Sequence, residues 1–173
     1  MKNTLSSGPQ TTARPARVTL AALVVMRLVL AGWVGAAVLF VITSIAEQIF
    51  PGFNSATRDQ LATIRFPYYF ATGTACCTVA LASGVLCRSV SRRLTAALVL
   101  TALASVVFAL DYWFVYLPLQ ELIILPGLPR TDQFTYLHNW SRNLNALHLL
   151  IVLAAAVHSA LPLNNGTIQD NGE

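Results

Sequence analysis

His138, Ser141, Asn145 and His148 recur at intervals of three, four and three residues in an otherwise apolar stretch. On a helix turning about 100° per residue they share an arc of roughly 80°, one narrow polar stripe. Arg142 adjoins the stripe, and Asp111 interrupts a separate apolar block. Such groups bind ions or polar solutes through charge and hydrogen bonds. Inside a bilayer each is costly enough to mark a functional site by default. The stripe is expected to face neighbouring helices, with Asp111 as partner for it or for Arg142. Two readings stay open: interhelical hydrogen bonds that set helix register, or a site for a solute, ion or cofactor.

Metal chemistry is constrained by distance. His138 and His148 lie ten residues apart, about 15 Å in height on one helix, so they cannot ligate one ion together. Each would need ligands from another helix, such as Asp111, and His158 falls on a different face. No metal or cofactor is therefore assigned. Cys76 and Cys77 are adjacent and Cys87 stands ten residues on, which makes neither an ordinary disulfide nor a CxxC motif. No Walker loop, dinucleotide fingerprint, HExxH or GxSxG occurs, and no enzyme is expected.

The elements that would position these groups are long and apolar. Of 173 residues, 55% are hydrophobic and 10% charged, against about 25% charged in an ordinary soluble domain. The net charge of +4 comes from basic residues beside apolar blocks, a pattern of membrane anchoring that excludes nucleic acid as a partner. Four blocks reach the ~20 helical residues that a hydrocarbon core requires, over about 18–49, 66–87, 94–117 and 132–161. The expectation is an all-α integral membrane protein, a four-helix antiparallel bundle over 18–163, with the lipid bilayer as its first partner. A polar tail at 1–17 is expected to be disordered, and 164–173 form a second polar tail. The first block is too long for a signal peptide and lacks a clear cleavage site.

Small residues at four-residue spacing, Gly32 with Ala36 and Ala80 with Gly84, are expected to bring helices close. Leu119 to Leu125 is expected to form a short interfacial helix ended by Pro126-Gly127. Lys2, Arg14, Arg17, Arg27, Arg88, Arg92 and Arg93 fall on one side, and Arg58, Arg65, Arg130 and Arg142 on the other. The positive-inside rule then places both termini in the cytoplasm. Asp111, the stripe, Glu47 and Arg65 collect in the outer leaflet. The absence of an evident organellar targeting segment points to a bacterial inner membrane.

Two segments carry a resemblance. Phe66-Pro67-Tyr68-Tyr69-Phe70 opens the second block, and Phe134 through Leu147 (FTYLHNWSRNLNAL) opens the last. Together with the four-helix layout they resemble the transmembrane protein 205-like family, small membrane proteins built round a domain of unknown function. The resemblance covers about Arg27 to Leu161, and Trp33, Gly35 and the segment near Pro118 are compatible with it. It implies a four-helix membrane domain. Its motif positions here are Phe66, Pro67, Tyr69, Phe70, Phe134, His138, Ser141 and Asn145, while Asp111 departs from the family pattern. Independently of the family, Pro67 suits the first turn of a helix, and Tyr68 and Tyr69 suit a membrane interface.

These readings favour a non-enzymatic multi-pass protein that binds or helps move a small solute or ion. Four helices leave little room for transporter-like repeats, so a homo-oligomer or a larger membrane complex would supply further surface. The alternatives are a membrane redox, metal or haem-handling protein using His138 and His148, and a structural subunit in which the stripe sets packing.

Overall fold

In a computed structural model that describes residues 14–124, 126–127 and 129–162, four long helices form one bundle. The polar stretches 1–13 and 164–173 lie outside the described residues. Helix α1 spans Arg14–Ile49 and α2 spans Ser55–Cys87. A 3₁₀ turn at Arg88–Val90 leads to α3, Arg92–Leu110. A π-helical segment, Asp111–Tyr116, joins α3 to α4, Leu117–Ile123, and α5 spans Asp132–Ala160. The third span is thus one continuous rod from Arg92 to Ile123. Each helix packs on two neighbours in the cyclic order α1, α2, third span, α5.

All four rods are long and apolar enough to cross a membrane. Their outward faces confirm the composition: Leu20, Leu28, Leu39, Ile42, Leu103, Val106 and Leu150 all point away from the bundle. A helix apolar all round is at home in lipid, where it satisfies its own backbone. Inside, α1 contributes a stripe at spacings of three and four: Leu23, Met26, Leu30, Trp33 and Ala37. Leu94, Ala97, Ala104 and Phe108 answer it from α3, and Val152 and Ala155 from α5.

Helix starts follow short polar side chains. Asn54 accepts from the Thr57 N–H, Ser91 from Leu94 and Thr131 from Phe134, each satisfying an orphan donor of a first turn. The Asn54 cap starts α2 eleven residues before the expected position at Phe66. Pro67 therefore sits inside α2 rather than in its first turn. Arg14 to Arg17, expected in a disordered tail, are helical.

The expected break before Leu119 is also absent. Pro118 lacks an N–H, and its ring would crowd the carbonyl of Phe114 in an unbroken α-helix. The chain widens to a π turn just before it, with the Leu117 N–H reaching the Tyr112 carbonyl, and continues as α4. The π turn also rotates Asp111, Val115 and Tyr116 into the interior.

Close approach uses different small residues from those expected on α1. Gly32 and Ala36 face outward, and a Cβ at Gly32 would meet nothing within 4 Å. On α2, Ala80 and Gly84 are buried. The tightest point is Gly73, where a Cβ would lie 2.4 Å from the Phe108 ring and 2.7 Å from the Trp33 ring. Only the missing side chain lets both rings lie on α2.

Candidate functional site

The α1–α2 and α4–α5 connections meet at one end of the bundle, and the polar groups gather there. Asp59 of α2 is 2% exposed. It accepts from the Gly127 N–H at 3.0 Å and pairs with Arg130, tying the α4–α5 connection to α2. Gly127 takes φ +84°, and its Cα faces Ala56, a conformation open to glycine at little cost. Arg65 pairs with Glu47, joining α2 to α1, and lies over the Phe40 ring. Arg130 lies over Phe134 at 4.0 Å.

Deeper in the bundle, three members of the stripe turn inward and each meets a different helix. Ser141 is buried and approaches Asp111 Oδ2 at 3.4 Å. Asn145 accepts from the Tyr69 hydroxyl at 2.6 Å. His148 is 1% exposed. It accepts from Trp33 Nε1–H on Nε2 at 2.9 Å, and its Nδ1 lies 3.0 Å from the Ala104 carbonyl. A carbonyl can only accept and an indole N–H can only donate, so the partners assign the Nδ1–H tautomer.

The fourth member departs from the stripe. His138 is exposed and stacks on Phe134 with rings 9° from parallel. It borders the same hollow as Ser44 and Gln48 of α1 without a hydrogen bond to either among the described residues. Asp111 meets Ser141 and leaves Arg142 without a carboxylate partner among the described residues. Asp111 Oδ1 and the Tyr116 hydroxyl are buried with no hydrogen-bond partner. Tyr69, expected at an interface, is buried, whereas Tyr68 faces outward. Aromatic rings surround it: Phe40 stacks on Tyr69 at 4.2 Å and Phe70 meets it edge-on, while Phe66 meets Phe40 edge-on and Phe70 packs on Phe108 and Tyr116.

Ser141, Asn145 and His138 of the stripe border a cavity of about 420 Å³, while His148 and Asp111 do not line it. Its walls come from α1 (Phe40, Ser44, Gln48), α2 (Arg58, Asp59, Ala62, Arg65, Phe66), α4 (Leu119, Gln120, Ile123) and α5 (Phe134, His138, Ser141, Arg142, Asn145, Leu149), with Tyr116 and Arg130. A second cavity of about 610 Å³ lies between α2 and the third span, lined by Phe70, Thr74, Cys77, Ser105 and Tyr112. Tyr116 and Gln120 border both.

Metal ligation finds little to build on. No group of three or more His, Cys, Asp or Glu side chains converges among the described residues. Both nitrogens of His148 are engaged by protein partners, and the three cysteines are free. Cys87 Sγ lies 3.1 Å from the Ser83 carbonyl within its own helix.

Asp59, Arg58, Arg130 and Trp33 were not among the site residues expected from sequence. The Asn54 cap was the available signal: it makes residues 55–65 helical and puts Arg58 and Asp59 on the helix that carries Arg65. Nothing local marks Trp33 as the partner of a histidine 115 residues away. No family model, curated protein or solved structure matches the chain.

Proposed function

We propose that this multi-pass membrane protein is a non-enzymatic binder of a small solute, which it holds or helps move at the Asp59–Arg130 end of the bundle. The cavity is the observation that carries the reading. Its ~420 Å³ falls within the roughly 300–1,000 Å³ typical of small-molecule sites. It combines apolar walls with a few convergent polar groups from four elements distant in sequence. The resemblance to the transmembrane protein 205-like family agrees with the helix count and names no ligand. The excess of Lys and Arg beside the other end supports cytoplasmic termini and an outer-leaflet cavity. Reporter fusions at both termini and in the 124–131 connection test that orientation. A bacterial inner membrane and a homo-oligomer or larger complex belong to the same proposal.

The test is occupancy. Native mass spectrometry of the full chain, extracted into neutral detergent, is expected to show a co-purifying small-molecule adduct. Ala62→Trp, which fills the cavity from α2, is expected to lose it while keeping its helical content. Equal adducts on both proteins would make the cavity simple packing space and leave the stripe a register device.

His148 favours a structural role for its own part of the stripe, since both ring nitrogens are committed to Trp33 and Ala104. The site proper is then Ser141, Asn145, Arg142 and His138.

A further inference from the structure

Charge around the cavity is out of balance. Four arginines border it: Arg58, Arg65, Arg130 and Arg142. Glu47 answers Arg65 and Asp59 answers Arg130. Arg58 and Arg142 have no carboxylate partner among the described residues. Arg58 reaches only the Phe50 carbonyl, at 3.4 Å, and its Nε is buried without a hydrogen-bond partner. Two guanidiniums beside an apolar hollow leave it net cationic, and a buried donor without a partner costs stability unless a ligand supplies an acceptor.

Depth adds a second constraint. The charge-free part of α1 ends at Ala46, that of α2 begins at Phe66 and that of α5 begins at Asn143. Counted from the Trp33–His148 bond along the antiparallel helices, Arg142 lies about level with Leu39, inside the apolar run of α1, and Glu47 lies nearer the helix end. Arg58, Phe134 and His138 border the end of the cavity nearer the connections, and Phe40 and Leu149 border its deeper end. Val41 and Ile45 of α1 and Arg142 and Ala146 of α5 line the cavity and are also exposed, which puts its mouth on the side of the bundle between those helices, open to lipid.

We infer that the cavity takes a single-chain amphiphile with an anionic head, phosphate or carboxylate, which enters from the bilayer between α1 and α5. Arg58 and Arg142 hold the head by charge-assisted hydrogen bonds, and the chain lies along Phe40 and Leu149. At about 420 Å³ the space suits one chain rather than a whole two-chain lipid. This inference rests on the reading of the cavity as a solute site and names the class of solute.

The experiment titrates the full chain in neutral maltoside micelles with dodecyl phosphate, dodecanoate, dodecanol and inorganic phosphate, counting adducts by native mass spectrometry. One saturable dodecyl phosphate or dodecanoate per chain is expected. Arg142→Gln and Arg58→Gln are each expected to weaken it about tenfold, equivalent to ~1.4 kcal/mol, and Ala62→Trp to abolish it. Arg142 is exposed and has no ion pair, so Arg142→Gln keeps the test valid if Arg58→Gln fails to fold. Dodecanol binding as tightly as dodecyl phosphate, unchanged in Arg142→Gln but blocked by Ala62→Trp, overturns the anionic head and leaves the solute site standing. Inorganic phosphate binding as tightly as dodecyl phosphate overturns the amphiphile in favour of a free anion. Adducts indifferent to Ala62→Trp lie outside the cavity and overturn both readings.

Discussion

Trp33 on the first helix donates its indole N–H to His148 on the last, Nε1 to Nε2 at 2.9 Å. The same imidazole reaches the Ala104 carbonyl of α3 through Nδ1, so one side chain joins three of the four spans. Phe108 packs on the ring at 4.7 Å and completes an apolar enclosure. Every polar atom of the pair is satisfied in a place that offers no water.

Removing the donor should expose that dependence. Trp33→Phe leaves His148 Nε2 buried without a partner and is expected to cost about 1–3 kcal/mol. His148→Leu added to Trp33→Phe should cost less than the sum of the single changes, as contacting residues do. Equilibrium unfolding in mixed micelles measures the cycle, and strict additivity would mean that the hydrogen bond contributes nothing.

The Asp59 carboxylate anchors the α4–α5 connection through Gly127 and Arg130. Asp59→Ala is expected to destabilise by about 1–3 kcal/mol, reduced from a fully buried pair because Arg130 is partly exposed. Hydrogen exchange at the Gly127 amide should quicken with it. An unchanged exchange rate would show that backbone geometry alone holds the connection.

Glycines on neighbouring helices should respond oppositely to added bulk. Gly73→Leu forces a side chain into Trp33 and Phe108 and is expected to cost at least the ~1–3 kcal/mol of overpacking. Gly32→Leu meets nothing within 4 Å and should leave the fold within ±0.5 kcal/mol or so. Thermal melts in one detergent compare the two, and equal losses would contradict the packing described here.

Tyr69 lends a smaller effect. Tyr69→Phe removes only the hydroxyl bond to Asn145, and interhelical hydrogen bonds in membranes average about 0.6 kcal/mol. The ring contacts with Phe40 and Trp33 should keep the variant folded. A loss of several kcal/mol would assign Asn145 a larger structural part than one hydrogen bond.

Particular residues show how far pattern reading reaches. The 3-4-3 spacing is enough to turn Ser141, Asn145 and His148 toward one side of a helix, because side-chain direction repeats with the helical period. It does not reveal that His138, on the same stripe, stays exposed and stacks on Phe134 of its own helix. Pro67 and Pro118 both read as helix boundaries, yet both lie within continuous rods. In lipid the alternative to a helix is an unsatisfied backbone, and a local π adjustment costs less than a break. The outward-facing Gly32 and Ala36 illustrate the same limit, since small residues permit close approach without choosing the partner.

Four apolar spans of membrane-crossing length and the gathering of polar residues toward one end are legible in the chain before it folds. Those follow from composition and period along a single chain. Tertiary structure alone decided that Trp33 meets His148, that Asp59 rather than Asp111 carries an ion pair, and that Arg58 and Arg142 are left over beside a cavity. Those pairings join residues up to 115 positions apart, and their partners are chosen by which helix faces touch, a property no local window of the chain contains.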